Sequence, residues 1–166
     1  MRAPMNRRIV AWSGIATLFA ILYAGVPFAG LAIDHAVGLG PLPFAVRLFG
    51  PVLLFAGLVG LSWCFTLFAR ARGTPNPMMP PEALVTSGPY AWTRNPIAGS
   101  HFLAVLGVTL IVGSPVAVGI TFLLGIPAYL ITHREEHGLE SRFGEAYGTY
   151  RASVPRWIPR IPKRQS

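Results

Sequence analysis

Two adjacent carboxylates, Glu135 and Glu136, follow closely on an uncharged stretch that ends at Thr132. At the edge of so apolar a segment a carboxylate needs a cation, a polar ligand or water. Solvation and pairing with Arg134 would satisfy that need. So would a pocket in which one or both carboxylates accept hydrogen bonds from the hydroxyls or ammonium of a polar ligand. The same segment reads His133-Arg134-Glu135-Glu136-His137, an H-x-x-E-H pattern that on a helix offers zinc two imidazoles, with a glutamate as base. A catalytic zinc needs a third protein ligand, and downstream only Glu140 and Glu145 carry carboxylates, so no metal is assigned. His101 and His133 together offer at most one haem or quinone site. A non-catalytic or redox membrane protein is accordingly the alternative to an enzyme. Gly38-Leu39-Gly40 lacks the strand and helix that a dinucleotide fold would place around it.

The elements that must position these residues follow from composition. Of 166 residues 52% are hydrophobic and 12% charged, about half the charge of an ordinary soluble chain, which argues against a water-soluble globule. All charges fall outside three stretches, residues 9–33, 48–69 and 96–132. About 20 apolar residues span a bilayer as a helix, so the first two stretches are one span each. The third would make a helix of roughly 55 Å and must fold back. Gly113-Ser114-Pro115 marks its turn, giving two short helices over 96–112 and 115–132. The expected fold is all-α, a single integral membrane domain over 1–166 with four transmembrane helices: two spans plus a short helical hairpin. The first span is too long for a signal peptide and is expected to stay in the chain.

Four crossings place 13 of the 14 basic residues on the side of both termini, and leave Arg47 on the other with Asp34, in an outer connector over 34–47. This is the positive-inside distribution, with N- and C-termini cytosolic. The net charge of +8 therefore reads as topology and attraction to lipid headgroups, and no nucleic-acid motif accompanies it. The cytosolic loop, 70–95, is shaped by prolines at 75, 77, 80, 81 and 89. Beyond Thr132 the last helix is expected to continue into the cytosol, with Leu139, Phe143, Tyr147 and Tyr150 on one face, until Pro155 stops it. Arg156-Trp157-Ile158-Pro159-Arg160, with Lys163 and Arg164, then suits the headgroup layer. Because Asn95 and His133 flank the hairpin, Tyr90, Arg94, Asn95 and His101 should converge on Glu135, Glu136 and the aromatic face. The lone Cys64 can form no internal disulfide.

Leu84-Val85-Thr86-Ser87-Gly88-Pro89-Tyr90-Ala91-Trp92-Thr93-Arg94-Asn95-Pro96, the apolar hairpin, Glu135-Glu136, Leu139, Phe143-Gly144, Tyr147, Tyr150 and Val154-Pro155-Arg156 stand in this order. Together they resemble the isoprenylcysteine carboxyl methyltransferase and phospholipid methyltransferase superfamily over about residues 73 to 159. Asn95 stands where that family usually has His, and Ala98 where it has Tyr. The resemblance implies an integral membrane enzyme that binds S-adenosylmethionine from the cytosol and methylates a lipophilic acceptor arriving from the bilayer, with membrane lipids around it. It implies Arg94, Glu136 and Arg151 as catalytic residues, Arg94 or Arg151 orienting the acceptor head. It implies Tyr90, Asn95, Pro96, Gly99, His101, Glu135, Glu136, Tyr147 and Tyr150 as cofactor-binding, the last two tyrosines on the adenine side. The small size of the chain favours a bacterial inner membrane.

Overall fold

The computed structural model describes residues 13–14, 16–71 and 83–160. Among the described residues there is no strand, and the all-helical class holds. Helix α1 runs Ala16–Val37, α2 Phe44–Arg47, α3 Phe49–Arg70, α4 Pro96–Val112, α5 Pro115–Phe143 and α6 Glu145–Ser153. Three helical runs, Ala16–Val37, Phe44–Arg70 and Pro115–Phe143, are long and apolar enough to cross a membrane, and α4 is shorter at 17 residues. Phe28, Phe55 and Leu123 stand exposed on these runs, a surface that only lipid covers without cost. The expected start of the first span at residue 9 and the turns at residues 73–81 lie outside the described residues.

The chain divides into two compact units, Met1–Leu54 with Val105–Leu123, and Phe55–Ala104 with Leu124–Ser166. In the first unit α1 contains one π-helical turn, Ile21–Gly25, closed by the Val26 N–H on the Ile21 carbonyl. Pro27 follows at once and has no N–H to offer the preceding turn, which is where such a bulge is tolerated. The hairpin turn at Gly113-Ser114-Pro115 forms as expected. Gly113 takes φ +80°, and the Ser114 hydroxyl caps α5 by accepting the Ala117 N–H at 2.9 Å. The outer connector is shorter than 34–47: α1 continues through Asp34 to Val37, and Gly38 ends it with a left-handed φ of 71°. Asp34 is therefore a helical residue, and its Oδ1 accepts the Val116 N–H at 3.2 Å.

In the second unit α3 and α4 touch backbone to backbone. A Cβ on Gly57 would lie 2.5 Å from the Ala104 nitrogen and 2.6 Å from the Ser100 carbonyl oxygen, so only glycine allows the approach. That contact fixes α4, whose first turn begins at Asn95 and Pro96. Helix α5 continues past Thr132 to Phe143, but the expected single helix to Pro155 is corrected: Gly144, at φ 52° and ψ −125°, breaks it and α6 sets off afresh. The break folds the aromatic face onto itself. Tyr147, Tyr150 and Val154 form a buried cluster against Leu84, Leu139 and Phe143.

Candidate functional site

Glu136 is the centre of the second unit's polar interior. Only 4% of it is exposed, and two guanidinium groups share its carboxylate. Arg156 grips both oxygens, Nε donating to Oε1 at 3.0 Å and Nη2 to Oε2. Arg94 brings Nη1 to 3.2 Å from Oε2, within ion-pair distance but not aligned as a hydrogen bond. One negative charge thus faces two positive ones, and the cluster is cationic by one. The Glu136 bond is the main reason the Arg156 proton is held more tightly than usual, so that side chain stays charged.

The chain approaches this point from three directions. From the loop, the 3-10 turn Gly88–Ala91 buries Tyr90, whose ring meets Phe68 edge-on at 5.8 Å between centroids. From the end of the chain, the Tyr150 hydroxyl donates to the Tyr90 carbonyl at 2.8 Å. The segment after α6 runs along residues 92–94, with the Arg94 N–H on the Pro155 carbonyl at 2.9 Å and the Arg160 N–H on the Trp92 carbonyl at 2.9 Å. The Thr93 hydroxyl donates to the Arg156 carbonyl at 2.7 Å. From α5, Tyr129 accepts Arg156 Nη1 at 3.3 Å and lies under its guanidinium, 5.5 Å from the ring centroid.

Five of the six buried side-chain polar atoms that lack a hydrogen-bond partner among the described residues gather here, Arg94 Nε and Nη1, Asn95 Nδ2, the Tyr147 hydroxyl and Trp157 Nε1, the sixth being Asp34 Oδ2 in the first unit. Buried groups of this kind are normally satisfied, each unmade bond costing about 1–3 kcal/mol. Four of the five are N–H donors, so the site is supplied to meet an acceptor-rich or anionic group. The Tyr147 hydroxyl lies beside Arg94 without a well-formed bond to it. Burial pushes the phenols of Tyr90 and Tyr150 well up, assisted at Tyr90 by Cys64, Tyr150 and Glu135 and at Tyr150 by Tyr147, and it raises that of Tyr147 against the opposing charge of Arg94. All three remain neutral around pH 7.

Of the residues singled out in the sequence, Tyr90, Arg94, Glu136, Tyr147 and Tyr150 share this contact network, and Asn95 and Pro96 continue it into α4. Gly99 has open space where a Cβ would point. His101 is half-buried on α4, and Glu135 lies one position around α5 from Glu136 and is exposed. Arg151 stands apart, exposed and paired with Glu140 at 3.2 Å. The His133 and His137 rings lie 5.0 Å apart between centroids, tilted by 33°, and among the described residues no three His, Cys, Asp or Glu side chains are grouped to hold a metal. Two participants are not among the expected site residues: Tyr129, which the sequence does not single out, and Arg156, which stands only in the resemblance motif and the headgroup segment. The segment from Arg156 to Arg160, expected to suit the headgroup layer, is bonded to residues 92–94; Lys163 and Arg164 lie outside the described residues.

The model of the family described as phospholipid methyltransferase matches residues 46–146. The chain belongs to the phospholipid methyltransferase family. This methyltransferase family member is 31% identical over 121 residues to the cobalt-zinc-cadmium resistance protein CzcN of Cupriavidus metallidurans, covering 67% of this chain and 51% of that one. It is 36% identical over 83 residues to the protein-S-isoprenylcysteine O-methyltransferase of Schizosaccharomyces pombe, covering 48% of this chain and 34% of that one. With the human enzyme of the same name it shares 34% over 82 residues, 48% of this chain and 28% of that one. The chain thus spans about half the length of the first of these curated relatives and about a third of the others. Family membership and the apolar helices make it an integral membrane protein.

Proposed function

We propose that this family member transfers a methyl group from S-adenosylmethionine to an O, N or S nucleophile on a lipophilic acceptor held in the membrane. The observation that carries this reading is the set of buried donors around Arg94 that make no hydrogen bond, next to a carboxylate that is already neutralised. An amino-acid nucleoside fits such a set, because its carboxylate and hydroxyls are acceptors. Arg94 and Asn95 would hold these groups, and the aromatic cluster of Tyr90, Tyr147 and Tyr150 would border the base. When bound, the cofactor supplies a methyl group on positively charged sulfur, and the acceptor–carbon bond forms as the carbon–sulfur bond breaks. Such a displacement asks the protein for alignment and exclusion of water rather than for covalent help. The buried, hydrogen-bonded loop and terminal segment are suited to both tasks.

In this reading α4 is the fourth crossing, at about 25 Å by helical rise, and both termini face the cytosol. The donor enters from that side, and the acceptor slides in from lipid. A bacterial inner membrane suits the charge distribution. Calorimetry on the full chain in detergent tests the assignment: saturable binding of S-adenosylmethionine is expected, together with transfer of a radiolabelled methyl group to a lipid when membranes carrying the protein are incubated with labelled donor. A chain that binds no donor and labels no lipid would end it.

A further inference from the structure

Arg94 and Arg156 sit on one carboxylate, yet they are used differently. Arg156 is engaged at all three nitrogens: both of its forked nitrogens are on Glu136, Nη1 is on the Tyr129 hydroxyl, and its guanidinium lies over the Tyr129 ring. Its backbone is fixed as well, through the Thr93 hydroxyl on its carbonyl and the Arg94 N–H on the carbonyl of Pro155. Tyr129 is itself braced, its ring stacked on Trp157 at 6.2 Å. Arg94, in contrast, reaches Glu136 with Nη1 alone, at ion-pair distance without an aligned hydrogen bond, and keeps Nε buried with no hydrogen bond at all.

A guanidinium beside a buried carboxylate closes on it as a two-pronged fork when nothing prevents it, because that geometry gives two parallel charge-assisted bonds. Here the better geometry is already taken. We propose that Arg156 is a positioning residue that holds Glu136 in a two-pronged fork so that Arg94 can reach it with one nitrogen only, and so keeps the other Arg94 N–H groups available to the methyl donor. The inference rests on the methyl-transfer reading and deepens it by assigning Arg156 a task in donor binding. It explains why the fork is bidentate on the residue at the end of the chain and single on the residue in the loop. It also gives a purpose to the three bonds that tie residues 155–160 to residues 92–94, which hold the two arginines in register.

The test uses the full chain in detergent. Donor affinity is read by calorimetry, turnover by label transfer and folding by melting temperature, for wild type, R156Q, R156K and the double variant E136Q/R156Q. In R156Q the Arg94 side chain is expected to close on Glu136, so the donor KM rises about tenfold or more with a smaller change in kcat. R156K keeps the charge but offers one point contact, so it restores most of the melting temperature while leaving the KM raised. The double variant, in which Arg94 has no carboxylate to close on, regains part of the affinity lost in R156Q. Wild-type donor affinity in R156K, or a double variant weaker than R156Q, overturns the positioning role even if wild type binds the donor well. Absence of donor binding by wild type overturns this role together with the methyl-transfer reading.

Discussion

Among the described residues, charged side chains are buried or half-buried in two places, and they use charge in opposite ways. At the Gly113 turn the charges meet backbone. Arg47 donates from Nε and Nη2 to the Ile111 carbonyl, at 3.2 and 3.0 Å, where the last carbonyls of α4 lack helical partners. Asp34, 5% exposed, accepts the Val116 N–H in the first turn of α5. A cation at a helix C-terminus and an anion at a helix N-terminus both complement the helix dipole, so the pair closes a hairpin. In the second unit the charges meet each other, and N–H groups are left over. Asp34 Oδ2 also stays buried without a hydrogen-bond partner, so the two places differ in kind: the first leaves one acceptor oxygen over, the second four N–H donors and a phenol.

The comparison can be broken most directly at Glu136. Replacing it with Ala leaves two buried arginines facing one another, and such a change costs about 3–5 kcal/mol. The expected outcome is a large drop in melting temperature together with loss of donor binding. Should the variant melt like wild type, the carboxylate is not the keystone described. Arg94→Lys asks for less. The charge and most of the stability stay, the spare donors go, and donor affinity is expected to fall about a hundredfold by calorimetry.

The first unit sharpens the contrast from the other side. Asp34→Ala and Arg47→Ala each remove a cap, worth about 0.5–2 kcal/mol, and should lower the melting temperature by similar amounts. Neither is expected to change donor affinity in calorimetry. If either weakened binding as strongly as Arg94→Lys, the division between capping charges and ligand-facing charges would fail.

The buried phenols give a pH signature of the second unit. Their pKa values are raised, so the folded chain holds those protons more tightly than the unfolded one. The sign follows directly: stability is flat below the ordinary tyrosine value near 10, and is lost as pH rises above it because unfolding then releases protons. Absorbance of phenolate in detergent should show Tyr90, Tyr147 and Tyr150 titrating only as the chain unfolds. Tyr90→Phe should remove part of that alkaline sensitivity.

Much of this arrangement is legible in the sequence, and the reason is topological. Apolar stretches give the helices, Gly113-Ser114-Pro115 gives the reversal, and a hairpin returns its two ends to one place. Arg94 and Glu136, forty-two positions apart, are therefore expected together, and they lie 3.2 Å apart. The break at Gly144 is not legible from periodicity, because Tyr147 and Tyr150 would share a face with Leu139 and Phe143 on a straight helix too. Glycine at that position only permits the bend; burial of the tyrosines on Leu84 and Val154 selects it. Arg156 and Tyr129 escape for a different reason. Their roles depend on carbonyls of residues 92, 155 and 156 bonding across sequence distance, and a basic, aromatic segment carries no local sign of such bonds.

The smallest effect belongs to Arg151, the one arginine of the expected catalytic group that lies away from Glu136. Its partner Glu140 is as exposed as it is, and an exposed ion pair contributes about 0–1 kcal/mol because water screens both charges. Arg151→Ala should therefore shift the melting temperature barely at all and leave donor affinity as it is. The informative measurement is KM for the acceptor, since an exposed guanidinium on α6 has one remaining route into the reaction, a contact with the head of an arriving lipid. An unchanged acceptor KM confines the arginine chemistry to Arg94 and Arg156. A rise of tenfold would move the acceptor's polar end to the outer side of α6 and enlarge the ligand-facing region of the second unit accordingly.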